Sequence, residues 1–127
     1  MKSIIIIFNG QPNLNYMATV YSAQGRTSIQ SPKRLVVEGE WGWFAIDVDA
    51  ELEADFSESE RDQITRVVPE PIFAQMPYSN SFSANLAVEL MPTTAETLID
   101  NDHGMLLRIN EVREMIHAGK EWQTAPN

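Results

Sequence analysis

Ile4, Ile5, Ile6, Ile7 and Phe8 make an apolar run that no polar residue interrupts on either parity. A strand of this pattern is covered on both faces, so it predicts the spine of a sheet. Residues 9–13 supply turn chemistry through Asn9, Gly10 and Pro12. Beyond them Tyr16, Ala18, Val20 and Ser22 alternate with Met17, Thr19 and Tyr21, the period of a half-buried strand. Residues 27–33 are polar and contain Pro32, which predicts a loop or a poor edge strand. Leu35, Val36, Val37 and Glu38 then lead through Gly39 and Glu40 into residues 41–50, the arrangement of a hairpin with a short glycine-containing connection.

The second half of the chain is more helical. Ser57 and Glu60 stand at the spacing of a capping box, and Ile64, Val67 and Val68 supply an apolar side before Pro69 and Pro71 end the helix. Residues 72–83 read as an extended segment, placed near a sheet edge because of Pro77. Residues 85–91 are rich in Ala, Leu, Glu and Met and predict a short helix ended by Pro92. Thr97, Leu98 and Ile99 enter a turn at residues 100–104 and Met105, Leu106 and Leu107 leave it, as in a hairpin. Asn110 can cap a closing helix with Val112, Met115 and Ile116 as its stripe. Gly119 stands at its left-handed end and Trp122 folds back on the stripe. The expectation is one α+β domain over residues 1–127, mainly an antiparallel or mixed sheet with two or three short helices and a frayed tail at residues 123–127.

Length and composition agree with this picture. A chain of 127 residues suits one core that buries roughly two-thirds of the unfolded surface. The absence of cysteine excludes a disulfide framework and thiolate chemistry, and it suits a reducing, cytoplasmic setting. The apolar run after Lys2 spans five residues, too short for a signal peptide or a membrane span, so it is read as a strand.

Charge changes the picture most. The chain carries a formal net charge of −9, and residues 38–70 hold eleven carboxylates against two arginines, so the imbalance of this stretch equals that of the whole chain. Such a field repels duplex DNA and anionic lipid and steers cationic partners. In an ideal strand Trp41, Trp43, Asp47, Asp49 and Glu51 would share one face, opposite Phe44, Ile46 and Val48. Tryptophans as anchors beside carboxylates that orient a basic partner would make a protein interface. Glu53, Asp55, Glu58 and Asp62 continue the acidic run and complete the candidate partner-binding set. A bland account stands beside it: the tryptophans are buried, some acids favour a helix start by ~0.3 to 1 kcal/mol each, and the excess serves solubility.

Asp100, Asp102 and His103 offer a second candidate, as ligands of a divalent ion or as an acid–base pair. The segment departs from the calcium-loop pattern, and Asx residues before Gly104 are what a tight turn uses. His117 falls in the last turn of the closing helix, where a cation suits the dipole. Walker, dinucleotide, nucleophile-elbow and zincin motifs are missing from the sequence. No cofactor and no catalytic residue is expected.

Leu98-Ile99-Asp100-Asn101-Asp102-His103-Gly104, a short strand, and a helix closing with Ala118-Gly119-Lys120-Glu121-Trp122 resemble the end of small bacterial immunity proteins, the inhibitors of polymorphic toxins such as those of contact-dependent growth inhibition. The resemblance implies a cytoplasmic, non-enzymatic inhibitor that binds a toxin domain, commonly a nuclease, and the acidic midsection independently suits a basic one. It implies no particular contact residues. The alternatives are a small metal-binding protein or metal-dependent hydrolase built on Asp100, Asp102 and His103, and a non-catalytic adaptor subunit.

Overall fold

The computed structural model describes residues 2–101 and 104–124. Seven strands form a single sheet in the order β2-β3-β4-β5-β1-β6-β7, with β1 at Lys2–Asn9, β2 at Arg26–Ser31, β3 at Arg34–Gly39, β4 at Gly42–Val48, β5 at Pro71–Tyr78, β6 at Leu98–Asp100 and β7 at Leu106–Arg108. Every neighbouring pair is antiparallel. Four α-helices complete the fold: α1 at Leu14–Tyr21, α2 at Glu58–Val67, α3 at Ser81–Leu90 and α4 at Ile109–His117, with a 3₁₀-helix at Ala50–Asp55. The α+β class is as the sequence predicts, with more helices than expected.

The uninterrupted apolar run is explained by cover on both sides. Ile4, Ile6 and Phe8 face the main core, where Met17 and Tyr21 of α1, Ala87 and Val88 of α3, and Val112 of α4 meet Phe44, Ile46 and Met76 of the sheet. Ile7 faces the other side, in a smaller cluster with Phe73 and Leu98 under Phe56, Ile64 and Val68. β1 pairs with β5 over its whole length and with β6 over three residues, so it is interior to the sheet.

Several sequence expectations are corrected. α3 starts at Ser81, inside the segment expected to be extended, and Asn110 lies within α4, whose cap position is Arg108. Residues 16–22 are not a strand: Asn13 caps a helix by accepting the Tyr16 amide at 3.0 Å, and Leu14, Met17 and Tyr21 are buried at helical spacing. The alternation of Tyr16, Ala18 and Val20 fits a short strand equally well. The flanks of β1 are taken by β5 and β6, so the chain leaving β1 crosses the core face instead. β5 is not near an edge either. It lies between β4 and β1, and the recorded β4–β5 rungs pass from Phe44↔Tyr78 to Asp47↔Gln75, skipping the position of Pro77, whose nitrogen has no proton to donate.

The end of the chain is tied down further than expected. Trp122 is fully buried, its indole N–H donates to Asn85 Oδ1 at 2.7 Å, and the buried Gln123 amide reaches the same oxygen at 3.1 Å. Residues 125–127, the rest of the expected frayed tail, lie outside the described residues. Among the described residues no helix is long and apolar enough to cross a membrane.

Candidate interface

The hairpin of β3 and β4 decides where the candidate residues go. Gly39 pairs with Gly42, leaving Glu40 and Trp41 as a two-residue turn. Gly42 has φ +127, and a Cβ there would meet Asn80 Nδ2 at 2.8 Å, so the position suits glycine alone. The turn removes Trp41 from the strand's parity. Its indole stacks on Phe44 with centroids 6.0 Å apart, packs against the main core, and donates to the Gln24 carbonyl at 3.0 Å. Trp41 and Trp43 therefore do not form one surface. Trp43 stands on β4 across from Glu38 on the opposite side of the sheet from Phe44, half-buried, its backbone N–H donating to Ser79 Oγ at 2.9 Å.

Asp47 is also set apart from the unpaired acids. It lies directly across from Arg34, whose guanidinium donates to its carboxylate. Asp49 serves the backbone: it precedes the 3₁₀-helix and accepts the Glu51 amide at 3.0 Å.

The remaining candidates gather on an arm made of the 3₁₀-helix and α2. Its joint is a complete capping box: Ser57 Oγ accepts the Glu60 amide at 3.1 Å, and Glu60 Oε1 accepts the Ser57 amide at 2.9 Å. Beneath the arm Phe56, Ile64 and Val68 seat on Ile7, Phe73 and Leu98, with Phe56 and Phe73 rings 5.4 Å apart. The apolar underside leaves the charged positions outward: Glu51, Glu53, Asp55, Glu58 and Asp62 are all exposed. None of the five forms an ion pair among the described residues, nor do Arg61 and Arg66 on the same arm. The arm thus holds six carboxylates, Glu60 included, against two arginines.

The arm's outer face carries a depression of about 550 Å³ lined by Ser57, Glu58, Asp62, Gln63 and Arg66. Every one of these residues is exposed and polar, so it suits a protein surface better than an apolar small-molecule pocket. A tighter cleft between the 3₁₀-helix and β5, lined by Lys33, Glu53, Ile72 and Phe73, measures about 150 Å³. That is below the ~300 Å³ from which small-molecule sites begin.

The second candidate is only partly in view. Asp102 and His103 lie outside the described residues. Asn101 is buried and shapes the turn: its Oδ1 accepts the Met105 amide at 3.1 Å and its Nδ2 donates to the Trp122 carbonyl at 2.8 Å. Among the described residues no group of three or more histidines and carboxylates is placed to hold a metal ion.

Sequence reasoning missed Arg34 as the partner of Asp47. The signal was present: a two-residue turn at residues 40–41 puts residue 34 across from residue 47. It also missed Val36, which faces the same side as Trp43 and is half-buried there. No protein-family model, curated protein or solved structure matches the chain.

Proposed function

We propose that this chain is a non-catalytic binder of a basic protein, acting in the cytoplasm as an immunity protein that neutralises a toxin domain, in its most specific form a nuclease. The observation that carries the reading is the arm: its carboxylates Glu51, Glu53, Asp55, Glu58 and Asp62 are exposed and without ion pairs among the described residues, on an element whose underside is anchored to the sheet. Unpaired like charges held together raise self-repulsion in the free protein, and a cationic partner relieves it. A nuclease presents cationic groups to phosphate, and a carboxylate surface can take the place of that phosphate. The resemblance of the sequence at residues 98–122 to small bacterial immunity proteins is in keeping with this reading.

The test is to look beside this chain's gene for a secreted protein with a basic C-terminal domain and to measure that domain's binding by calorimetry and its nuclease activity with and without this chain. A one-to-one complex that silences the activity is expected, and replacing Glu51, Glu53, Glu58 and Asp62 together by lysine should weaken it at least tenfold. Absence of a complex, or an affinity indifferent to the four reversals, overturns the reading.

A further inference from the structure

The two edges of the sheet are unlike. β7 is three residues long and runs directly into α4, so it offers little backbone to a further strand. β2 is six residues long, and among the described residues no backbone–backbone hydrogen bond outside its ladder with β3 reaches it. The hairpin turns fix which of its groups point outward. Gly39 and Gly42 close the two-residue turn at residues 40–41 and exchange hydrogen bonds, so Val37 and Leu35, in phase with Gly39, also face β4. Trp43 is out of phase and turns away, its N–H donating to Ser79 Oγ and its carbonyl accepting the Ser79 amide. Val36 and Glu38 therefore turn their backbone groups to β2, where Ser28 and Arg26 lie opposite them. Thr27 and Ile29 are left holding both N–H and C=O away from the sheet.

Proteins blunt such edges with charge, proline or bulges. Here Pro32 and the register shift between Ile29 and Ser31 act only at the far end of β2, and residues 27–29 carry none of these devices. Ile29 is 40% exposed and stands on the helix side of the sheet, in register with buried Leu35 and Ile46. α1 packs against β2 on that side, with Tyr16 58% exposed. Arg26, matched by Glu38, is the one charged residue from position 3 to position 32.

We infer that this edge receives β2 of a second copy of the chain, antiparallel about a two-fold axis at Ser28. Thr27 of each copy then lies opposite Ile29 of the other, and the two pairs exchange four N–H···O=C bonds. Residues of one parity meet residues of the same parity, so the two sheets become one and both Ile29 side chains stay on the helix side, beside α1. Charge selects a copy over a cationic segment. A matched edge has nothing to attract a basic partner, whereas two chains of charge −9 approach best where neither carries charge. The arm is anchored on β5, β1 and β6, of which β5 is the nearest and lies three strands in from β2. The β5 strands of two copies stand seven spacings apart, about 34 Å, against a screening length of about 8 Å at physiological salt, so the arms do not oppose the pairing. The end face of β2 and α1 is about 20 Å long and about 15 Å deep, roughly 300 Å². A stable interface buries about 800 Å² on each partner, so the dimer is weak and depends on concentration.

Sedimentation equilibrium of the intact chain from about 1 to about 500 µM is expected to show monomer passing to dimer. Thr27→Pro removes one outward N–H, and Ile29→Lys sets like charges beside the axis. Neither touches a hydrogen bond between β2 and β3, and each should weaken association at least tenfold. Both are checked for folding by circular dichroism, and Ile29→Lys decides the matter if Thr27→Pro does not fold. Ser28→Cys, in a chain without cysteine, places two thiols across the axis with Cα atoms about 4.5 Å apart, within disulfide range. Under copper–phenanthroline it should link into dimers at least tenfold faster than Ser81→Cys, whose position is also exposed but lies on α3. A monomer at every concentration leaves the edge to a strand of another protein and overturns the inference. A dimer indifferent to Ile29→Lys, or equal linking of the two cysteine variants, overturns it as well.

Discussion

Arg34 and Asp47 face each other across β3 and β4, and the guanidinium that donates to the Asp47 carboxylate also donates through Nε to Gln30 Oε1 at 2.9 Å. One cation thus joins the edge strand's end to β4. The side chains are 38% and 29% exposed, so solvent screens the pair and its worth is modest. Asp47→Ala should cost about 1 kcal/mol in urea unfolding, and a double-mutant cycle with Arg34→Ala should give a coupling of about 0.5 to 1 kcal/mol. Asp47→Lys should cost more, because like charges directly opposite repel. A coupling near zero would show that the two side chains do not act together.

The arm should respond to salt even without a partner. Raising ionic strength from about 0.01 M to about 0.1 M shortens the screening length from about 30 Å to about 10 Å, which damps repulsion among its carboxylates. The melting temperature of the protein should therefore rise over this range. Neutralising Glu51, Glu53, Glu58 and Asp62 to glutamine should raise it at low salt and flatten the salt dependence. A melting temperature indifferent to both changes would mean that the arm stores no repulsion.

The closing segment hangs on Asn85. Its Oδ1 accepts both the Trp122 indole N–H and the Gln123 side-chain amide. Asn85→Ala leaves two donors without their acceptor, at a cost of about 1 to 3 kcal/mol. Trp122→Ala removes a fully buried side chain and should cost about 3 to 5 kcal/mol. Thermal unfolding measures both, and equal small losses would mean that the segment is loosely held.

Tyr21 makes stability sensitive to strong alkali. Burial holds its phenol well above the ordinary value, against a smaller opposite pull from the Arg113 charge, and its O–H donates to the Ala87 carbonyl at 2.5 Å. The folded state keeps the proton where the unfolded chain releases it, so the stabilisation is complete below about pH 10 and falls as pH rises further. Unfolding free energy followed from pH 9 to 11.5 should decline by up to ~1.4 kcal/mol per unit from this group, and Tyr21→Phe should make the decline shallower. An identical slope in the variant would exclude Tyr21 as the cause.

Local punctuation was legible where one chemical need has one solution. The capping box at Ser57 and Glu60, the stop before Pro69, the left-handed Gly119 at φ +69 and the covered strand at residues 4–8 all stand where the sequence places them. The candidate site was legible in charge and not in geometry. Excess acid in residues 38–70 is a matter of counting; its division into paired Asp47, capping Asp49 and an outward arm depends on which strands become neighbours.

By itself, then, the sequence determined the α+β class, the hairpins, both ends of α2, the C-terminal ends of α3 and α4 and the acidic midsection, because each follows from side-chain chemistry within a few residues. Only the tertiary structure decided that residues 14–21 are a helix, that β5 is interior, and that Trp41 turns to the core while Trp43 stays on the partly open face. Those outcomes depend on contacts between distant segments, and period alone cannot say which side of a sheet will be covered.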